Sequence, residues 1–334
     1  MTEFDLLKLI GQADDQYILE SRRRPRAKKK ARWPVALAAV LAPTRWSVAH
    51  CADLGVAGTL IYHQNALWAL RRVAEVWDGD GITDKYYSSM NCFNFTMSQA
   101  SGLIADTAKA GNVDTYVNYV DKYLKKIGSL REDAAFHPFI TNHDMDRAAG
   151  FLTPESGQMQ IAANLYILGP GSPMLYYGEE LGMRGSRGSA NTDANRRLAM
   201  LWGDGDTVKN PTGTTYDPKN QIEQTAADQM AEERSLYSYY KRLIQIRVNN
   251  PEIARGEYKP LSVPDDKAGG FLATWQGKTV CVLHNTTMRH ITVDLSKCTD
   301  LTFTEIAGII GAEGVAVMDG TKVTLGVQTS VVLR

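Results

Sequence analysis

Phe136-His137-Pro138-Phe139-Ile140-Thr141-Asn142-His143-Asp144-Met145-Asp146-Arg147 is the stretch that decides how the rest of this chain is read. Phe136, Phe139 and Ile140 are apolar enough to end a buried parallel strand, and Thr141 to Asp144 then place four hydrogen-bonding side chains in succession. A strand running on into a core would not end that way. In (β/α) barrels the carboxyl ends of the strands carry the chemistry, so a polar burst at such an end is a site candidate. The competing reading is that Asn142 or Asp144 caps the next helix.

Upstream, Val73-Ala74-Glu75-Val76-Trp77-Asp78 is a β-rich apolar run interrupted by one acid. Taken alone, a Glu in a short strand is more often a solvent-facing residue. Downstream, Thr153-Pro154-Glu155 reads as a helix start whose buried face carries Met159, Ile161, Ala162, Leu165 and Leu168. Pro173 to Tyr177 then reads as a short apolar strand ended by Gly178-Glu179-Glu180.

These blocks resemble, in order, motifs of glycoside hydrolase family 13, the α-amylase family. F-I-T-N-H-D-M-D-R is similar to its strand-seven motif, and the run around Glu75 to its strand five. G-S-P-M-L-Y-Y-G-E-E-L-G-M resembles the eighth strand and its loop; N-R-R-L-A-M-L-W resembles a later stretch of that loop, with Ala199 at the usual proline. The resemblance covers roughly residues 72 to 334. It implies an α/β fold: a partial (β/α)8 TIM barrel, strands five to eight recognisable, followed by a small antiparallel β-sandwich domain.

By that resemblance Glu75 is the general acid/base and Asp144 stabilises the transition state. Asn142 and His143 contact the sugar, and Arg147 belongs to the substrate-binding set and orients the motif's acid. Retaining hydrolysis needs two carboxyl groups about 5–5.5 Å apart, one of them protonated near neutral pH. Val73, Ala74, Val76 and Trp77 give Glu75 an apolar setting of that kind. Glu179 and Glu180 are expected to fix the loop and are not counted as catalytic.

The amino-terminal side departs from the family. Leu54-Gly55-Val56-Ala57-Gly58 resembles the opening of the strand-four motif G-V-x-G-F-R-x-D, but Leu60 stands where the family has Arg and Tyr62 where it has the nucleophilic Asp. About nine residues then remain before the next strand near Arg72, against the ~10–12 that a parallel crossover needs. The nucleophile-bearing strand is therefore expected to be missing. The expected function is an α-amylase-type retaining glycoside hydrolase acting on α-glucans such as starch or maltooligosaccharides, crippled in this truncated chain. The alternatives are a non-catalytic glucan-binding or degenerate amylase fragment, and a membrane-associated protein. No cofactor and no metal site are expected; calcium is usual in the family, but its ligand-bearing region is not recognisable here.

Composition sets outer bounds. The 334 residues are 44% hydrophobic, enough for a sizeable core, and 37 basic side chains balance 37 acidic ones, so no field favours nucleic acid. A neutral glucan needs none. Cys51, Cys92, Cys281 and Cys298 are scattered, with no pair at zinc-ligand spacing.

Residues 1–42 read as a basic segment, Arg22 to Arg32, followed by a ten-residue apolar run from Trp33 to Ala42. That run is too short to span a bilayer, which takes about 20 residues. A secretion signal, a solvated basic arm beside a buried helix and a truncated membrane anchor all fit it. The first and last imply membrane contact through residues 1–42 or an extracellular or cell-surface location, the second a cytoplasmic one. Residues 43–71 read as a linker or a strand-four remnant.

Residues 72–250 read as the barrel part. Ser98 to Lys109 is expected to be helical, as is the Val113-to-Ile127 periodicity, and Ser235 to Arg247 is the closing helix. Residues 251–334 read as an all-β domain with strands near 271–275, 279–283, 290–295, 302–306, 315–317, 322–325 and 330–333. A half barrel also exposes two unpaired strand edges, which favours self-association.

Overall fold

The computed structural model describes residues 60–65 and 69–334, apart from short stretches at 154–155, 189–192, 204, 206–207, 217–220 and 265–266. The expectations for residues 1–42 and for most of 43–71, including the Leu54–Gly58 strand opening and Cys51, lie outside the described residues. No helix among them is long and apolar enough to cross a membrane.

The site-bearing sheet has the order β1 (Leu60–Asn65), β2 (Ala69–Ala74), β3 (Asn91–Asn94) and β4 (His137–Pro138). β2, β3 and β4 run parallel, and an isolated parallel bridge from Phe139 to Met174 continues the series. β1 runs antiparallel to β2, with Tyr62 opposite Arg72. The physical reason is connection length: antiparallel neighbours can be joined by a tight turn, whereas parallel ones need a crossover longer than the residues available. Pro173 to Tyr177 was expected to form a strand and contributes only the Met174 bridge.

Side-chain alternation sorts the strands into two faces. Val73, Phe93 and Phe139 point to one side, where they meet Phe95 and Met145 in a small aromatic cluster. The Phe93–Phe139 and Phe95–Phe139 rings meet edge to face, 5.5 and 5.1 Å apart. Ala74, Cys92 and Ile140 point to the other side, into the main core. That core is built by α1 (Asp80–Tyr87), α2 (Leu103–Ala110), α3 (Val113–Leu130), α4 (Gln158–Ile167) and, beyond the short α5 (Ala226–Ala231) that packs through Ala226 on Leu181, Met183, Leu198 and Met200 instead, α6 (Leu236–Asn249).

The expected buried stripe of α3 is present in Val113, Val117, Val120 and Ile127, with Tyr116 and Tyr123 buried beside it. α4 starts at Gln158 instead of beside Thr153, because Gly157 turns the chain with φ 73° immediately before it. Its residues from Ile161 to Ile167 are all buried, as befits a helix apolar all round. Ser235 caps α6 by accepting from the Ser238 amide.

After the single turn α7 (Glu252–Arg255) the chain becomes antiparallel β. One sheet has the order β5 (Glu257–Leu261), β6 (Ala268–Trp275), β7 (Lys278–Asn285), β12 (Thr329–Leu333) and β9 (Ile306–Gly311). A second has β10 (Ala316–Asp319), β11 (Lys322–Leu325) and β8 (Ile291–Asp294). Leu272, Cys281, Leu283, Val331 and Leu333 of the first face Ile291, Val293, Val323 and Leu325 of the second in a shared core. The strand expected at 302–306 begins only at Ile306, and β5 was not expected. The opposite face of the larger sheet supplies Phe271, Val280, Val282, Ile310 and Val332 to the main core, against the helices.

Candidate active site

Glu75 follows the last residue of β2, and Asn142, His143 and Asp144 come shortly after β4 and its Phe139 bridge. The two strand ends lie on the same rim because β2, β3 and β4 are parallel. A ligand atom from each of Glu75, His143 and Asp144 lies within 4.8 Å of the other two.

Asn142 ties the rim together. Its amide Nδ2 donates to Glu75 Oε1, while its Oδ1 accepts from the Asp144 backbone amide at 3.0 Å. One side chain thus closes the local turn and fixes an acid 67 positions upstream. This use of Asn142 differs from plain helix capping: the segment after it is irregular, leading to a single turn at Ala148–Gly150.

Glu75 is half-buried, and that burial pushes its carboxyl above the ordinary range. The His143 charge opposes the rise, Asp144 adds to it, and the Asn142 hydrogen bond and the Arg197 charge oppose it. Glu75 therefore binds its proton more tightly than a free carboxyl does.

Asp144 accepts from Arg197 Nη2, and His143 Nε2 lies 3.4 Å from Asp144 Oδ1. Arg197 Nε also donates to the His143 carbonyl at 3.1 Å, and Arg196 Nη1 to the Asp144 carbonyl at 2.7 Å. Two consecutive arginines from the 193–197 turn thus hold the His143-Asp144 backbone. Neither was singled out in the sequence, although both stand in the N-R-R-L-A-M-L-W stretch; an arginine pair following strand eight was the available signal.

Arg147, expected in the substrate-binding set and as the residue that orients Asp144, is 2% exposed, and its guanidinium lies over the Tyr176 and Tyr177 rings, 4.5 Å from each centroid. It donates to the Tyr177 carbonyl at 2.6 Å and to the Arg196 carbonyl at 3.1 Å. A planar, always-charged fork suits this work of tying two loop carbonyls together. Arg147 thus acts on Asp144 at one remove, through the loop that carries Arg196 and Arg197.

Beside Asp144 opens a cavity of about 690 Å³, lined among others by Trp77, Gln99, Phe151, Arg184, Arg196 and Tyr216. Trp77 is 50% exposed and stacks on Phe95 with centroids 5.4 Å apart, so one indole face is held rigid. Trp77 was read only as part of Glu75's apolar setting, and its partner Phe95 was not read at all.

Glu179 is buried and accepts from Tyr166 at 2.5 Å and Tyr240 at 3.0 Å. It fixes the interior under the loop and does not reach the rim acids. As to the calcium usual in the family, the one group of metal-competent side chains among the described residues contains an imidazole and too few oxygens for a calcium cage, so it does not fit that ion.

A protonatable acid and a second carboxylate at the carboxyl rim of parallel α/β strands define an enzyme site of the paired-carboxyl type. The model of the family "Alpha amylase, catalytic domain" matches residues 65–256, more than half of the chain. The chain belongs to the α-amylase family of glycoside hydrolases.

Alpha-amylase 3 of Dictyoglomus thermophilum is 27% identical over 218 residues, covering 64% of this chain and 42% of the relative. Alpha-amylase SusG of Bacteroides thetaiotaomicron is 32% identical over 170 residues, covering 49% and 24%. Among solved structures, Eubacterium rectale Amy13B matches with a TM-score of 0.71 at 27% identity, covering 79% of this chain and 52% of that one. An α-amylase from H. orenii shares the fold with a TM-score of 0.66 at 24% identity, over 90% and 58%. The chain thus spans less than half the length of the two curated relatives.

Proposed function

We propose that this chain carries the acid/base half of an α-amylase-type retaining glycoside hydrolase site for α-glucans, and that its hydrolytic turnover is crippled. The observation that carries the reading is the meeting of Glu75 and Asp144 at one rim, with Glu75 held in its protonated form more readily than a free carboxyl. β2, β3, β4 and the Met174 bridge take the places of barrel strands five to eight, and β5 to β12 those of the terminal β-sandwich domain.

Glu75 protonates the glycosidic oxygen and later returns as base, while Asp144 holds sugar hydroxyls and favours the positively charged ring of the transition state. Asn142 keeps Glu75 aimed, and His143 adds a hydrogen bond to the same sugar. Impairment is supported by the position where the family has its nucleophilic Asp. Tyr62 stands there, in a strand that runs antiparallel to β2. Losing a covalent nucleophile costs many orders of magnitude, and the remaining groups sustain only residual catalysis.

A reducing-sugar assay on soluble starch with the intact chain and Glu75→Gln tests this. The expected result is low turnover that falls further in the variant. Robust turnover lost on Glu75→Gln would overturn the crippled state and keep the family chemistry. Turnover unchanged by the variant would overturn the assignment of Glu75. Retention of maltooligosaccharide binding by calorimetry with no turnover at all would favour the glucan-binding reading.

A further inference from the structure

The Glu75, His143 and Asp144 cluster combines one imidazole nitrogen with two carboxylates, a donor set that favours zinc over the hard cations. Zinc bonds of ~2.0–2.2 Å at tetrahedral angles place neighbouring ligand atoms ~3.3–3.5 Å apart. His143 Nε2 and Asp144 Oδ1 already stand 3.4 Å apart, and Glu75 lies within 4.8 Å of both residues' donors.

The outer partners are in place as well. Asn142 donates to Glu75 and so orients that carboxylate, while Arg197 and Arg196 hold the His143 and Asp144 carbonyls and so fix the backbone that carries the other two donors. Arg197 also sits on Asp144, but that pair is 43% and 34% exposed, a class of ion pair worth little, and its release costs little.

We propose that Glu75, His143 and Asp144 form a Zn²⁺ site with three protein ligands and one open position. The inference rests on donor identity and spacing, not on the glycosidase reading. If both hold, the ion occupies the place of the sugar ring and engages the acid that must carry a proton, so zinc and glucan exclude each other.

The test is calorimetric titration of the chelator-treated full chain with ZnCl2 and, separately, CaCl2. One equivalent of zinc is expected to bind, with calcium far weaker. His143→Ala and Glu75→Gln are each expected to weaken zinc by at least about tenfold, since even loss of an outer partner costs 10–100-fold. Cys298→Ser, at the partly exposed thiol, should leave it unchanged. No saturable zinc binding, equal binding of calcium, or zinc binding indifferent to His143→Ala would overturn the proposal. His143 is a half-exposed loop residue, and an unchanged melting curve certifies that its variant is folded. Added maltotriose separates the two readings: zinc binding without sugar binding sinks the glycosidase reading and supports this one.

Discussion

Glu75 and Glu179 are both pushed above the ordinary carboxyl range, and burial is the first cause for each. Their surroundings differ in kind. Glu75 stands at a strand end among other polar groups, with a charged acid, an imidazole and an arginine around it. Glu179 is enclosed, and two tyrosine hydroxyls meet one of its oxygens while the other has no partner among the described residues. A raised proton affinity therefore does not identify a catalytic acid by itself; access and company do. The first residue, half-buried at the rim, can exchange its proton with whatever enters there, the second only with the solvent of an opened protein.

The sharpest way to break this contrast is to exchange the two acids for their amides. Glu75→Gln should lower whatever starch hydrolysis the chain supports by ~10²–10⁴-fold in a reducing-sugar assay, with little change in the melting temperature. Glu179→Gln should do the reverse. An equal loss of turnover in both would remove the distinction.

The second test uses pH. Glu179 rises from 4.5 to about 8 on folding, so between those values the native state binds a proton that the unfolded chain has released. Stability should then fall as pH rises through that window, by at most ~1.4 kcal/mol per pH unit for one proton. Urea unfolding at several pH values should show this slope, and Glu179→Gln should flatten it. A slope that survives the variant would assign it to another group.

A smaller effect is expected from Tyr240→Phe, which takes one donor from Glu179 and should cost ~1–2 kcal/mol in urea unfolding, more at high pH than at low. The finest test is Asn142→Ala. The Asn142 hydrogen bond favours the charged form of Glu75, so its removal should move the Glu75 titration upward, read by NMR of the carboxyl carbon. A downward shift would mean that Asn142 serves the neutral acid instead.

Elements with a long period or a strong stop were legible in the sequence. α3 follows its Val113-to-Ile127 stripe, and α6 begins beside Ser235 and ends before Pro251. The polar burst at Asn142 to Asp144 marked a strand end that the structure brings beside Glu75. β3 escaped because Asn91-Cys92-Phe93-Asn94 is short, begins and ends on a polar residue and is buried throughout, which leaves no alternation to read. β5 contains Pro260 and β9 two glycines; both are edge strands of their sheet, where a missing donor or a missing side chain is tolerated. The role of Arg147 was not readable because its partners are the carbonyls of Tyr177 and Arg196, and backbone atoms leave no trace in residue identities.

The larger antiparallel sheet gives one face to the smaller sheet and the other, through Phe271, Val280, Val282, Ile310 and Val332, to the helices that back the rim. The carboxyl-terminal strands are thus less an appended module than the outer wall of the enzyme part: a cut after α6 would strip both halves of their lining, and heating should melt them together in one calorimetric peak.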